Sequence, residues 1–222
     1  IKSDETVRSY FGVFKKVINE AIDANLFRHN PTKGIKVKRA RSQLKKQVLD
    51  TRELRTLENT HCGNEEVKRA FLFCCNSGFG RAECLKLKWK HINNGVISHF
   101  TRAKTKTALN IKVNENAKFY LGKRGKANDN VFNLPSSTAC TKNIKNWIKL
   151  SKIDKHITFY CARHTFACNL LIYGTNAKTV ANLLGHTSIN MVDRYLNYVE
   201  TLNSKAVDNL PSIVRKTKMK VV

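Results

Sequence analysis

Residues 158–174 read TFYCARHTFACNLLIYG. On a helix, Phe159, Ala162, Phe166 and Leu170 share one face, and Cys161, Thr165 and Cys168 line another. A helix that is apolar on every side has to be buried, so the rest of the chain must pack around this segment. Arg163 stands in the middle of it. A buried guanidinium keeps its proton and is costly without an anionic partner. Acidic residues are scarce nearby, Asp154 being the closest in sequence. The anion is therefore an internal carboxylate, or it is brought in from outside.

The overall charge favours the second source. The 222 residues include 41 Lys and Arg against 16 Asp and Glu, a net charge of +25. Such an excess repels itself and calls for a polyanion, nucleic acid first. An anionic membrane is the weaker choice, because no apolar run is long enough to span one and no basic segment has a strongly apolar opposite face. The chain is 41% hydrophobic, with 11 Phe, enough for one good core or a core plus a partial second unit. Its seven cysteines, at 62, 74, 75, 84, 140, 161 and 168, are odd in number and contain no CxxC pair. Neither a disulfide framework nor a zinc site is expected, and several thiols fall on apolar helical faces as small hydrophobes. With no signal peptide, a reducing cytoplasm is the expected compartment. The first residue is Ile, not Met, and a fragment of a longer protein is expected.

Periodicity divides the chain. SDETVRSYFGVFKKVINEAIDANLF reads as an amphipathic helix capped by Ser3 or Asp4, with RHNPTKG as its stop. Alone it cannot bury its stripe, so partner helices are expected upstream. Residues 35–47, IKVKRARSQLKKQ, carry six basic residues, Lys36, Lys38, Arg39, Arg41, Lys45 and Lys46, and read as an extended linker that hugs DNA. A solvated tail is the plainer alternative. Asp50 and Glu53 have capping-box spacing. EEVKRAFLFCCNSG is a helix ending at Gly78, and RAECLKLKW is a short one. Asn94-Gly95 predicts a hairpin turn, with strands at 96–101 and 109–113. A helix and loop follow in ENAKFYLGKRGKANDN. From Thr138 the chain reads as helical, with breaks at 151–157, Gly174, Gly185 and near 196–198. The expected class is mostly α with one small antiparallel β-sheet.

Several residues could do chemistry, and each has a plain structural alternative. Arg81 follows the tight NSGFG turn, but exposed arginines are common. Lys104 and Lys106, with Arg102, belong to the tip between two strands, where a solvated basic loop is the ordinary case. Arg163 could pair with an internal carboxylate. Gly185 looks like a helix C′ residue, leaving His186 in a turn where it could simply cap or pack. Tyr195 is expected on a short helix, and Tyr198 would suit a packing role equally well.

Taken together, these pieces form an ordered set: GFGRAECLKLKWKHI, RAKTKTALNIKV, ITFYCARHTFACNLLIYG, VANLLGHTSINMVDRYLNYV and the closing AVDNLP. In that order they resemble the tyrosine recombinases, or phage integrase family, and look most like integrases of Bacteroidetes mobile elements and conjugative transposons. FGVFKKVINEAIDANLFRHNP resembles the end of that family's helical core-binding domain. The resemblance implies residues 1–30 as the end of a core-binding domain, 31–49 as a basic linker and 50–222 as the catalytic domain. It also implies that the chain cleaves a DNA phosphodiester with a tyrosine, forming a 3′-phosphotyrosyl link and a free 5′-hydroxyl without ATP. Tyr195 matches the nucleophile. Arg81 and Arg163 match the clamp on the non-bridging phosphate oxygens, and His186 matches a further donor. Lys104 matches the lysine that protonates the leaving oxygen, with Lys106 the alternative at that tip. No metal or other cofactor is implied.

One position departs from the pattern. The family places His three residues before the second Arg, and here Tyr160 stands there. An imidazole can take a proton near pH 7, whereas an unperturbed phenol titrates near pH 10 and is a poor base. Tyr160 is expected to hydrogen-bond the phosphate, with slower chemistry or proton transfer through another group. His164 is expected only to anchor its helix. The implied partners are double-stranded DNA crossover sites, further copies of the chain in a tetramer, and accessory DNA-bending proteins. The implied location is the bacterial cytoplasm, at the nucleoid, and not a membrane. The competing possibilities are a catalytically weak or silent DNA-binding member of the same family and a topoisomerase using the same chemistry. LLGHTSI favours the recombinase branch.

Overall fold

Local signals set most element ends. The computed structural model describes residues 4–37, 47–101, 108–186 and 188–208. Its contacts separate two units, Ile1–Ser42 and Gln43–Val222. In the first, helix α1 spans Asp4–Asp23. It stops before RHNPTKG is reached, because Asn25 takes a left-handed φ of +58°. That turn lets Leu26 N–H donate to Ala21 O at 2.8 Å and Asn25 N–H to Ile22 O at 2.9 Å. Asn tolerates this conformation better than other side chains, so it ends the helix early. Much of the α1 stripe is exposed, Tyr10 at 59% and Phe14 at 51%.

The second unit begins with the expected capping box. Asp50 Oδ1 accepts from Glu53 N–H, and Glu53 Oε2 accepts from Asp50 N–H, both at 2.8 Å. The helices are α2 (Thr51–Asn59), α3 (Glu65–Ser77) and α4 (Arg81–Cys84). Strands β1 (Ile92–Asn93), β2 (Val96–Thr101) and β3 (Ala108–Lys112) follow. The chain continues through α5 (Glu115–Leu121), α6 (Ser137–Leu150), α7 (Phe159–Ile172), α8 (Ala177–Leu183) and α9 (Asp193–Asp208). The sheet is antiparallel in the order β1-β2-β3, with Ile97 opposite Ile111 and Phe100 opposite Leu109. The mostly α fold with a small antiparallel sheet is thus observed, with Asn94-Gly95 at the first hairpin.

Two further expectations need correction. RAECLKLKW is helical only over Arg81–Cys84. The expected break near 196–198 is absent, so Tyr195 lies on a helix of 16 residues rather than a short one. Leu196, Asn197 and Tyr198 are all compatible with a helix, and none supplies the Gly or Pro that a break needs.

Why α7 is apolar all round is now clear. Its first half, with Phe159, Cys161 and Ala162, belongs to a core built with α3, α6 and the sheet. Phe71 packs edge-on against both Phe159, at 5.9 Å, and Trp147, at 5.8 Å. Its second half, with Phe166, Ala167 and Cys168, belongs to a second cluster with Val180, Leu184, Val192 and Tyr195. A hydroxyl inside the helix is also used: Thr165 Oγ1 accepts from Leu49 N–H at 3.0 Å. All seven cysteines are buried thiols, and this packing role is the one their apolar faces predicted.

Gly78 shows how tightly the turn between α3 and α4 is built. It caps α3 with φ +71°, and an added Cβ would lie 2.6 Å from Phe166 Cδ1 on α7. Gly78→Ala combines a left-handed penalty of about 1 kcal/mol or more with overpacking of about 1–3 kcal/mol. A clear fall in the thermal midpoint is expected; an unchanged midpoint would contradict this packing.

Candidate active site

Arg163 is buried, at 9% exposure, and the structure supplies its partners from inside. Nη1 donates to Gly78 O at 2.9 Å and Nη2 to Leu184 O at 2.5 Å. Glu83 Oε1 stands 4.0 Å from Nη1. An external anion is therefore not needed to keep this charge inside the fold, and the carboxylate beside it is Glu83 rather than Asp154, the acid closest in sequence. Glu83 comes from α4, and its other oxygen accepts from Gly80 N–H at 2.8 Å. A guanidinium has five N–H donors, so the two carbonyls leave capacity for a further acceptor.

These tethers organise the other candidates. Gly78 and Glu83 flank Arg81, which opens α4. The half-buried Arg81 donates through Nη2 to Pro135 O at 2.9 Å. Its Nε is buried without a hydrogen-bond partner among the described residues. Leu184 is the C-cap of α8. Beyond it, Gly185 adopts φ +58°, as its C′ assignment predicted. Gly185 N–H donates to Asn182 O at 2.8 Å and His186 N–H to Ala181 O at 2.9 Å, a Schellman turn. One side chain, Arg163, thus ties the turn presenting Arg81 to the turn carrying His186.

Tyr195 is almost fully buried, at 2% exposure. Its hydroxyl meets His164 Nδ1 at 3.0 Å. His164, expected only to anchor its helix, touches the candidate nucleophile. The sequence signal for it is its place beside Arg163 in the ARHTFA run. Tyr160 also differs from expectation: although it opens a buried helix, it is 53% exposed. Its ring stands edge-on to His164, with centroids 4.5 Å apart at 88°. Burial pushes the Tyr195 phenol up to about 12. The Tyr160 phenol adds to the rise, while the Arg163 and Arg194 charges oppose it. Tyr198 has a different setting: burial raises its phenol, and after Cys168 the nearby groups raising it are Glu53 and Asp50. The arginine-bearing surroundings belong to Tyr195.

Of the proposed DNA-binding residues, Lys36 is described and exposed. Lys38, Arg39, Arg41, Lys45, Lys46, Arg102, Lys104 and Lys106 lie outside the described residues.

The buried acids make a stability prediction. Burial pushes the thiols of Cys74 and Cys75 well up, and that of Cys168 to about 12. The raised Tyr195 phenol acts the same way. Each group is neutral when protonated, and between its unfolded and folded pKa the native state holds more protons. Stability is therefore full below about pH 9 and falls as pH rises toward 12. Denaturant titrations should show this alkaline loss, with a shallower decline between pH 10 and 12 in Tyr195→Phe. An identical slope would count against the phenol's contribution.

Comparison with known proteins adds an independent line. The phage integrase family matches residues 46–201. A tyrosine recombinase of Agathobacter rectalis is 38% identical over 60 residues, covering 27% of this chain and 20% of that protein. Tyrosine recombinase XerC of Rickettsia typhi is 32% identical over 91 residues, covering 39% of this chain and 26% of that protein. The chain thus spans about a quarter or less of the length of these curated relatives. Among solved structures, the catalytic domain of bacteriophage HP1 integrase superposes with a TM-score of 0.55 at 20% identity, covering 75% of this chain and 96% of that one. The Tn1549 transposon integrase in complex with transposon right end DNA gives 0.66 at 17% identity, covering 93% and 80%. A lambda integrase dimer bound to a core site gives 0.63 at 17% identity, covering 83% and 70%. At these identities the structural likeness speaks for the fold.

Proposed function

The chain belongs to the phage integrase family, and from that premise we propose that it is a site-specific DNA recombinase that integrates or excises a mobile element, of the kind carried by Bacteroidetes. One observation carries the catalytic part: Arg163 grips the turn that presents Arg81, and the Arg163 charge also acts on the Tyr195 phenol. A phosphate at this point meets two guanidinium groups and one nucleophile. Tyr195 Oη attacks phosphorus, the bond to the 5′-oxygen breaks, and a 3′-phosphotyrosyl link remains. Arg81 and Arg163 neutralise the charge that gathers on the non-bridging oxygens, where planar paired donors suit phosphate best. His186 donates to the same group. Lys104, or Lys106 beside it, protonates the leaving oxygen. The link conserves bond energy, so the reverse attack by a 5′-hydroxyl reseals a strand.

On this proposal residues 1–30 are the end of a core-binding domain, and 31–49 track the DNA backbone through Lys36 and its basic neighbours. Four protomers act on two duplexes, with accessory DNA-bending proteins, at the bacterial nucleoid. The Tn1549 and lambda integrases named above in DNA-bound form support duplex DNA as the partner. Among the described residues, no helix is long and apolar enough to cross a membrane.

A second reading has its own support. The 2% exposure of Tyr195 keeps the nucleophile from solvent, and a member that binds DNA without cutting it would look the same. Nicked suicide duplexes separate the two. A random nicked library is exposed to the full chain and washed under denaturing conditions, so that only covalently held DNA survives. Recovery of a defined sequence supports the recombinase, and tight binding with no recovered DNA supports the silent binder. Affinity for duplex DNA should also drop about 10³-fold or more between roughly 50 and 200 mM salt, through counterion release from many phosphate contacts. A flat salt response would remove the DNA-tracking role.

A further inference from the structure

The proposed cleavage needs a group that takes the tyrosine proton, and the position at which the family resemblance implies an imidazole holds Tyr160. An imidazole, that of His164, lies one helical turn further on. We propose that His164 is that proton acceptor, a catalytic residue that touches the attacking oxygen. The inference rests on the recombinase reading above and deepens it.

Geometry carries the proposal. His164 Nδ1 and Tyr195 Oη stand 3.0 Å apart, within the reach a general base requires. The donor and acceptor come from different helices, α7 and α9, so their meeting is a product of packing rather than of sequence spacing. His164 is 1% exposed, which holds the ring in one place. Tyr160 packs edge-on against it, so the phenol at 160 buttresses the imidazole of His164. Arg163 is the preceding residue on α7, and its side chain holds the phosphate-clamping turn. The helix therefore delivers clamp and base from adjacent positions.

The need for a base is severe at this phenol. Burial raises it to about 12, so at neutral pH almost none is ionised on its own. In the forward step the Oη–H bond breaks and its proton goes to the lone pair of Nδ1. The Oη electron pair forms the bond to phosphorus, and the 5′-oxygen departs with the pair of the broken P–O bond, taking a proton from Lys104 or Lys106. In resealing, the imidazolium returns its proton to Oη. The step requires neutral His164 with its hydrogen on Nε2.

The test begins with wild type and Tyr195→Phe on the nicked duplexes recovered by covalent capture. Adduct from wild type alone supports the parent reading; no adduct from wild type overturns that reading and this inference with it. Given the adduct, His164→Asn keeps an acceptor near the Nδ1 position but cannot take the proton. It should bind DNA and melt like wild type, yet cleave about 10²-fold or more slowly. Placing 2,3-difluorotyrosine at 195 makes the phenol more acidic and should recover at least tenfold of that loss, which a purely structural role would not permit. Cleavage by His164→Asn within threefold of wild type overturns the inference, as does a defect that the fluorinated phenol leaves untouched. A measurement without substitution guards against misfolding of the variant. Nitrogen-15 spectra of the intact chain near pH 7 should show His164 Nδ1 without a hydrogen, and a protonated Nδ1 overturns the proposal whatever the variants do.

Discussion

Tyr195→Phe is expected to bind duplex DNA with unchanged affinity and to form no covalent adduct at all. The phenyl ring preserves packing against Val180, Leu184 and Val192 in the second core cluster, while the only atom lost is the oxygen that would carry the DNA. Removing it also leaves His164 Nδ1 without the hydroxyl now 3.0 Å away. An unmade buried hydrogen bond costs about 1–3 kcal/mol, so a modest fall in the thermal midpoint should accompany the loss. The control is Tyr198→Phe, which should retain the adduct, because the charges acting on Tyr198 are those of Glu53 and Asp50 rather than of the arginines. Electrophoresis under denaturing conditions reads the adduct directly. If Tyr198→Phe removes it and Tyr195→Phe does not, the assignment of the nucleophile is wrong.

Arg163→Ala should have the second largest effect, and a double one. It removes the donor to Gly78 O and Leu184 O and takes the guanidinium away from Glu83. Truncating one partner of a buried charged network costs about 3–5 kcal/mol, which at about 2–4 °C per kcal/mol lowers the thermal midpoint by about 10 °C. Cleavage should fall by about 10²–10³-fold or more, the usual effect of deleting a donor that stabilises a developing oxyanion. Arg163→Lys separates the two roles. Lysine keeps the charge and one carbonyl contact, so much of the stability should return. Its ammonium cannot span both carbonyls and a phosphate, so cleavage should not. An Arg163→Ala protein that melts with wild type would show that the tethers carry little stability. A variant that melts lower yet cleaves at the wild-type rate would show that the arginine is structural alone.

Much of the frame was legible in the sequence because it is local. Asp50 and Glu53 cap α2 through side chains three residues apart. Gly78 and Gly185 end their helices by taking positive φ, and Asn94-Gly95 turns the first hairpin. The centrality of α7 followed from its lack of a polar face. The same property hid the orientation of its first turn: with apolar residues all round, periodicity could not show that Tyr160 would face out at 53% exposure. Nor could it show where α1 would stop, because Asn25 ended it through a left-handed turn that no stripe records. The continuous α9 was missed because residues 196–198 break an apolar rhythm without breaking a helix.

What the sequence determined by itself is the chemistry on offer: two arginines, a histidine and a tyrosine in a family's order, on a strongly basic chain. Tertiary structure alone decided how they are wired. Arg163 meets Gly78 across 85 residues and Leu184 across 21, and His164 meets Tyr195 across 31. Caps and turns arise from hydrogen bonds within a few residues, so composition and spacing reveal them. The hold on Arg163 and the hydrogen bond at Tyr195 exist only once α7 has packed against α3, α8 and α9. Which atoms then face each other depends on side-chain volumes and helix placement, and no short stretch of sequence contains that information.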